Sequence, residues 1–363
     1  MAFCEIFLND NIISHSTQKG VTRFFNRVAD GVINHFGSRV AVFSSQRRLY
    51  APARRIRLPD RAGLIHDALA SIAALVYSPA VVLSPYYGAM RTSAAEVFLV
   101  HDMIHELFPQ HFPIQSSYER RFVAEKHGCL DRATLLLANS MSTARDIVHC
   151  YPSVDPRKIV ITPLGVDDTF FSLAGAAPDF RGPPYLLYVG NRSVYKNFLR
   201  LLTAFGESGL GREVDLQVIS DEGGGFFPEE QRLITRYGLE RSVRRICSVS
   251  DAELRSWYAS SIALVYPSEY EGFGLPILEA LASGTLVATS NTASMPEVGG
   301  DVAFYFDPYS CESIAATLRQ VVSLSSSERV QRIARGQEHA RQFTWQRCQQ
   351  RTIAALQALI EKA

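Results

Sequence analysis

The stretch EGFGLPILE, running from Glu271 to Glu279, joins an apolar run at residues 262–266 (IALVY) to a helix N-terminus. The run is short and apolar, which reads as a buried parallel strand. Gly272 and Gly274 let the backbone bend and come close to a ligand. Pro276 suits the first helical turn, where its missing N–H costs nothing. Free N–H groups and the positive end of the helix dipole make such a terminus an anion site. Helical side chains point back toward the N-terminus, so Glu279, about one turn in, is expected to reach the ligand mouth. Carboxylates repel phosphate and accept hydrogen bonds from hydroxyls. Amides for phosphate and carboxylates for hydroxyls together describe a nucleotide sugar. The plainer alternative is a buried strand–helix unit with one acid favouring the helix dipole. It accounts for one acid, and poorly for a second placed deeper beside an apolar face.

Bulk properties narrow the class. A chain of 363 residues has room for two domains. Hydrophobic residues at 47% and charged residues at 20% are those of a globular protein. A net charge of +1 argues against a basic nucleic-acid-binding surface. Cys4, Cys129, Cys150, Cys247, Cys311 and Cys348 form no C-x-x-C pair and no metal spacing with histidine, as expected of reduced thiols in a cytoplasmic protein. MAFCEIFLND carries no basic leader before a long apolar run, so no signal peptide is expected. No stretch approaches the ~18 apolar residues that a membrane span needs.

Apolar runs alternate with amphipathic stretches along the whole chain, the pattern of parallel α/β architecture. Strands are expected at residues 3–8, 40–43, 80–83, 97–100 and 135–138, then at 185–189, 215–219, 262–266 and 286–289. Helices are expected at 21–36, 119–131, 142–151 and 345–360. The segment PLGVDDTFFSLAGAAPDFRGPP reads as a linker between two such series. Ligands of open α/β sheets bind beyond the carboxyl ends of strands, which makes those loops the places to inspect.

After the strand at 185–189 comes NRSVYKN and then an apolar helix. Asn197 is placed as an N-cap. Lys196 then sits beside the positive end of a helix, which is unfavourable unless an anion is shared. A diphosphate would supply that anion, and Arg192 offers a planar fork for phosphate oxygens. The plain alternative is two solvated cations in a loop. The glycines at 223–225 could let the backbone approach a nucleotide, and read better as an ordinary loop.

The Glu271–Glu279 segment resembles the Glu-x7-Glu signature of retaining glycosyltransferases of the GT-B fold, in the large family 4. The resemblance continues through ALASGTLVATSNTASMPEVGGDVAFYFDP and reaches upstream into VSDAELRSWYASS. It implies two Rossmann-like domains facing across a cleft, with the chain's end crossing back to the first. The corresponding boundaries are 1–165 for an acceptor-binding domain, 166–184 for the linker, 185–344 for the nucleotide-sugar domain and 345–363 for the returning helix. The basic pair after the strand at 185–189 is also a family feature. HDMIHELFP resembles a branch of the family that includes bacterial mannosyltransferases, and this places His101 near the donor sugar. A lone histidine at a strand end is otherwise usually structural. KGVTR resembles the family's glycine loop near the donor phosphates, with Gly20 retained and Lys19 where a second glycine is usual. Backbone near Ile246 is implied to meet the base.

The expected reaction is therefore transfer of a hexosyl group, with retention, from a UDP-glucose or GDP-mannose type of donor to a sugar or lipid-linked oligosaccharide. His101, Arg192, Lys196 and Glu271 would carry the chemistry. Gly20, Ile246, Gly272, Phe273, Gly274, Leu275 and Glu279 would bind the donor. No Asp-x-Asp occurs, so no metal-bridged diphosphate and no cofactor are expected. Rivals are another GT-B enzyme, such as a sugar-nucleotide epimerase or a phosphorylase, and a catalytically silent sugar-nucleotide binding module. Finally, RRLYAPARRIRLPDR interleaves Arg47, Arg48, Arg54, Arg55, Arg57 and Arg61 with apolar residues. Such a segment suits peripheral contact with an anionic membrane, and equally a solvated connection.

Overall fold

The computed structural model describes residues 4–10, 19–44, 53–57, 66–85, 87–88, 90–112, 117–172, 183–247 and 249–362. The chain divides into two compact units, Met1–Leu164 with Trp345–Ala363, and Gly165–Thr344.

The first unit holds a seven-stranded parallel sheet in the order β3-β2-β1-β4-β5-β6-β7. Its strands are β1 (Ile6–Asp10), β2 (Val40–Ser44), β3 (Arg54–Arg57), β4 (Val81–Ser84), β5 (Ala95–Val100), β6 (Leu135–Ala138) and β7 (Ile159–Ile161). Helices α1 (Lys19–Phe36), α2 (His66–Tyr77), α3 (Ile104–Leu107), α4 (Ser117–Arg132) and α5 (Met141–Cys150) connect them. Central strands such as β2 (VAVFS) and β6 (LLLA) are buried at every position. That is why they read as unbroken apolar runs rather than as an alternation. Ser140 caps α5, its hydroxyl accepting the Thr143 N–H at 2.9 Å.

The second unit holds a six-stranded parallel sheet ordered β10-β9-β8-β11-β12-β13. The strands are β8 (Tyr185–Val189), β9 (Asp215–Ile219), β10 (Val243–Ile246), β11 (Ala263–Tyr266), β12 (Leu286–Ser290) and β13 (Phe304–Phe306). Its helices are α6 (Phe198–Ser208), α7 (Pro228–Arg236), α8 (Asp251–Ser260), α9 (Leu275–Ala282), α10 (Met295–Gly299), α11 (Cys311–Val322) and α12 (Ser326–Ala340). Leu201, Leu202 and Phe205 of α6 pack with Ile314, Leu318 and Val321 of α11 over the sheet. Ser250 and Glu253 form a reciprocal capping box at the start of α8.

The last helix, α13 (Trp345–Ile360), belongs to the first unit and lies along α1. Gln349 Nε2 donates to the Arg27 carbonyl at 2.7 Å. A Cβ at Gly31 would come within 2.5 Å of the Gln349 side chain, so glycine is needed for this approach.

Several expected segments take a definite form. The segment expected as a linker joins the second unit where it is described: Val166 bridges to Thr344, and Asp168–Phe171 forms a 3-10 turn. The first strand runs Ile6–Asp10 rather than 3–8. Arg54–Arg57 is an edge strand paired with β2. Arg47, Arg48 and Arg61 lie outside the described residues. Among the described residues, no helix is long and apolar enough to cross a membrane.

Candidate functional site

Sheet order reverses in the second unit at β8, whose neighbours are β9 and β11. Loops leaving β8 and β11 therefore diverge from adjacent strand ends and open a crevice at that switch point. Residues 190–197 and 267–274 occupy these two loops, and they meet. The Glu269 N–H donates to the Tyr195 carbonyl at 2.8 Å. Lys196 Nζ lies 2.6 Å from Glu271 Oε1 and 3.3 Å from Tyr266 Oη. It also stands 5.1 Å and 5.4 Å from the ring centres of Tyr195 and Tyr266.

Burial is the largest single influence on Lys196 and would lower its pKa, but Glu271, Tyr266 and Tyr195 together outweigh it and hold the ammonium well above the ordinary lysine value. Burial and then Glu271 likewise push the Tyr266 phenol up, so it stays a neutral hydroxyl. The pair thus keeps its cation throughout the neutral range. Its contribution to stability is complete below the ordinary lysine pKa and is lost only as pH rises through the raised value. Both side chains remain 13% exposed. Glu271 supplies an anion beside Lys196.

The loop after β11 is held through its carbonyls. Asn197 Nδ2 donates to the Pro267 carbonyl at 3.0 Å and to the Pro308 carbonyl at 2.8 Å. Thr292 Oγ1 donates to the Glu269 carbonyl at 2.9 Å. Ser294 Oγ sits 2.8 Å from the carbonyl oxygens of both Glu271 and Phe273. Gly274, at φ +106°, is the N-cap of α9, in a region that disfavours a Cβ. Pro276 falls in the first turn of α9. Gly272 and Phe273 are buried and Leu275 half-buried at this bend.

Glu279 is 5% exposed, and its Oε2 accepts from Tyr258 Oη at 3.2 Å. It is more enclosed than the expected reach to the ligand mouth. Asn197 stands at the N-cap of α6 but does not cap it. It adopts φ 62°, and its amide turns to the two carbonyls just named.

Arg192 departs furthest from expectation. Its side chain is 0% exposed. Nε donates to both oxygens of Glu230, at 2.9 and 3.1 Å. Nη1 donates to Ser220 Oγ at 2.9 Å and lies 3.1 Å from Glu222 Oε2, while Nη2 donates to the Gly225 carbonyl. Phe227 covers the guanidinium at 4.8 Å. The fork read as a phosphate clamp is spent on two carboxylates, and it pins the loop after β9 to the loop after β8. The Arg192–Lys196 pair separates into one buried brace and one cation at the crevice. Ile246 ends β10, and its carbonyl accepts the Ser220 N–H at 3.1 Å, tying that strand end to the braced loop.

In the first unit, Gly20 lies in the opening turn of α1, exposed, with open space where a Cβ would stand. Packing within the unit therefore does not demand glycine there. His101 follows β5, its Nε2 2.8 Å from the Pro85 carbonyl and its ring edge-on to Phe24. A carbonyl only accepts, so this contact selects the Nε2–H tautomer. Burial depresses the His101 pKa, keeping the ring neutral. Tyr266, Ser294, Glu222 and Glu230 were not anticipated. Glu222 and Glu230 lie 30 and 38 positions from Arg192 in sequence, and nothing local announces the pairing. Among the described residues, no cluster of His, Cys, Asp or Glu could hold a metal.

Comparison with known proteins gives the family and the fold. Residues 176–339 match the family described as glycosyl transferases group 1. The chain is 30% identical to the O-antigen chain mannosyltransferase B of Escherichia coli, over 87% of this chain and 84% of that protein. It is 31% identical to the MMP alpha-(1->4)-mannosyltransferase of Mycolicibacterium hassiacum, over 62% of this chain and 54% of the relative. Its fold is similar to sucrose-phosphate synthase of Thermosynechococcus elongatus, with a TM-score of 0.78, 15% identity and all of both chains covered. It is also similar to WaaG, a glycosyltransferase involved in lipopolysaccharide biosynthesis, with a TM-score of 0.70, 18% identity, and 93% and 95% of the two chains covered.

Proposed function

Because this chain belongs to the group 1 glycosyl transferases and has the two-sheet GT-B fold of its neighbours, we propose that it moves a hexosyl group, with retention, from a nucleoside-diphosphate sugar to an acceptor hydroxyl in bacterial polysaccharide or glycolipid assembly. The observation that carries the reading is the 2.6 Å Lys196–Glu271 pair at the switch point of the second sheet. A cation suited to a departing diphosphate touches a carboxylate suited to sugar hydroxyls, so one crevice addresses both sides of the bond that breaks.

In the proposed step the anomeric carbon loses its bond to the phosphate oxygen and gains one to the acceptor oxygen. The acceptor's proton passes to the departing phosphate, on the same face. Negative charge on the diphosphate is largest in the transition state, so the ammonium of Lys196 lowers the barrier rather than only tightening binding. Glu279 holds ribose hydroxyls, Glu271 holds sugar hydroxyls, and the α9 N-terminus faces phosphate. His101 serves the donor sugar as a neutral imidazole. No metal is required in this scheme. The relatives named as mannosyltransferases make GDP-mannose the first donor to test and UDP-glucose the second.

The division of labour is tested by two variants. Glu279→Gln is expected to weaken GDP and GDP-mannose alike. Glu271→Gln is expected to weaken GDP-mannose while leaving GDP unchanged or tighter, since Lys196 is then released to phosphate. Calorimetric titration reads both, and equal losses for GDP and donor in both variants contradict the assignment.

Work at the cytoplasmic face of a membrane is part of the proposal. Ile72, Leu75 and Val76 are exposed on one face of α2, opposite the buried His66, Ala70 and Ala74. This helix follows the arginine-rich segment in sequence, and a stretch that joins cations to an apolar stripe suits anionic lipid. Cosedimentation with phosphatidylserine vesicles at low salt is expected, and is lost when the three residues become serine. Absence of binding at low salt removes the membrane from the account.

A further inference from the structure

We propose that Lys126 is a positioning residue for His101, acting through the loop that carries the imidazole. Lys126 is 1% exposed, an expensive place for an ammonium. It lies on α4, outside the strand-end loops read as the site. Its Nζ donates to the Asp102 carbonyl at 3.2 Å and to Glu106 Oε2 at 2.7 Å. Glu106 Oε1 accepts in turn from Tyr151 Oη at 2.9 Å. The cation therefore grips the residue after His101 and the short helix that follows. Asp102 Oδ1 fixes the same turn from inside by accepting the Ile104 N–H at 3.1 Å, and Asn139 Nδ2 holds the His101 carbonyl at 2.8 Å.

The same helix grips the loop that receives the imidazole. Cys129 and Arg132 follow Lys126 at intervals of three. Cys129 Sγ lies 3.4 Å from the Gly88 N–H and 3.3 Å from the Gly88 carbonyl. Arg132 Nη2 donates to that carbonyl at 2.6 Å, and its Nε donates to both oxygens of Glu96. This loop begins at Pro85, whose carbonyl accepts from His101. One face of α4 thus fixes both what carries the ring and what the ring leans on. Replacing both partners of such a pair by apolar residues of similar volume is often neutral or stabilising, so the Lys126–Glu106 pair is better explained by placement than by stability.

The electrostatics give the proposal a readout that packing alone would not move. His101 sits against Phe24 of α1 and the Pro85 carbonyl, and the charges of Asp102 and Lys126 act on it. After burial, which dominates its lowered pKa, the Pro85 bond and Asp102 raise it and Lys126 lowers it further. Removing the cation therefore moves the His101 pKa up.

The inference rests on the proposed role of His101 in transfer, so the experiment includes His101→Ala beside Lys126→Met and Lys126→Arg. Turnover of GDP-mannose with a mannose-terminated oligosaccharide is followed against pH, with GDP affinity and melting temperature measured in parallel. Misplacing a working group by about 1 Å costs up to ~10²-fold in rate. Lys126→Met is expected to lower kcat roughly ten- to hundredfold, to leave GDP affinity unchanged, and to shift the acid limb of the profile upward. Lys126→Arg is expected to restore most of kcat and the limb. If Lys126→Met does not fold, the double variant Lys126→Met with Glu106→Gln, which leaves no uncompensated carboxylate, carries the same comparison. A loss of rate with no movement of the limb, or full activity in a chain that His101→Ala inactivates, overturns the positioning role alone. Full activity in His101→Ala overturns the role given to His101 and, with it, this inference.

Discussion

Lys196→Ala is expected to lower turnover by roughly 10²–10³, the usual loss when one stabiliser of developing charge is removed. The same variant is expected to bind free GDP within about tenfold of the parent, because the α9 N-terminus and Glu279 remain. This asymmetry follows from position. Lys196 meets Glu271 at the crevice, with both side chains 13% exposed, and water can reach the carboxylate left behind. Folding is therefore expected to survive, and melting temperature should be measured alongside rate. Turnover near the parent's value contradicts the role given to the ammonium. Equal losses in rate and GDP affinity show it to be only a binding group.

Arg192→Ala is expected to act on the fold instead. Removing one partner from a fully buried ion pair costs ~3–5 kcal/mol, because the other charges stay buried and uncompensated. Glu230 is already pushed toward protonation by burial, against which the Phe227 N–H and Arg192 hold it. Without Arg192, both Glu230 and Glu222 lose their cation. A fall in melting temperature of roughly ten degrees is expected for a unit of this size. Activity should fall with the folded fraction. Unchanged melting with lost donor affinity would return Arg192 to the diphosphate and contradict the brace.

The contrast between these two cations shows what the residues disclosed in order and what they did not. Both follow β8 in one short loop, and both are the right chemistry for phosphate. Which one is buried depends on Glu222 and Glu230, contributed by the loop after β9 and by α7. That is tertiary information, and no local spacing contains it. Asn197 teaches the same lesson. Its type suits a cap, but two carbonyls from distant loops compete for its amide and win. Strands buried on both faces were readable: residues 135–138, 185–189 and 215–219 are strands over those bounds. Strands that were missed are short or charged. β10 reads VRRI, while β7 and β13 are three residues each. An edge strand keeps one side toward solvent and can carry arginines that a central strand cannot. The EGFGLPILE bend was legible because its constraints are local: Gly274 at positive φ, Pro276 in the first turn, and the acids at fixed offsets.

The central claim is that this chain transfers a hexosyl group with retention, using its own cation at the leaving diphosphate. The most direct measurement is the anomeric configuration of the first-formed product. It is read by proton NMR during turnover of α-configured GDP-mannose with a mannose-terminated oligosaccharide, in the presence of EDTA. An α-mannosidic product, formed at an undiminished rate under chelation, is the predicted result. A β-linked product, or turnover that stops with EDTA and returns with added magnesium or manganese, would contradict it.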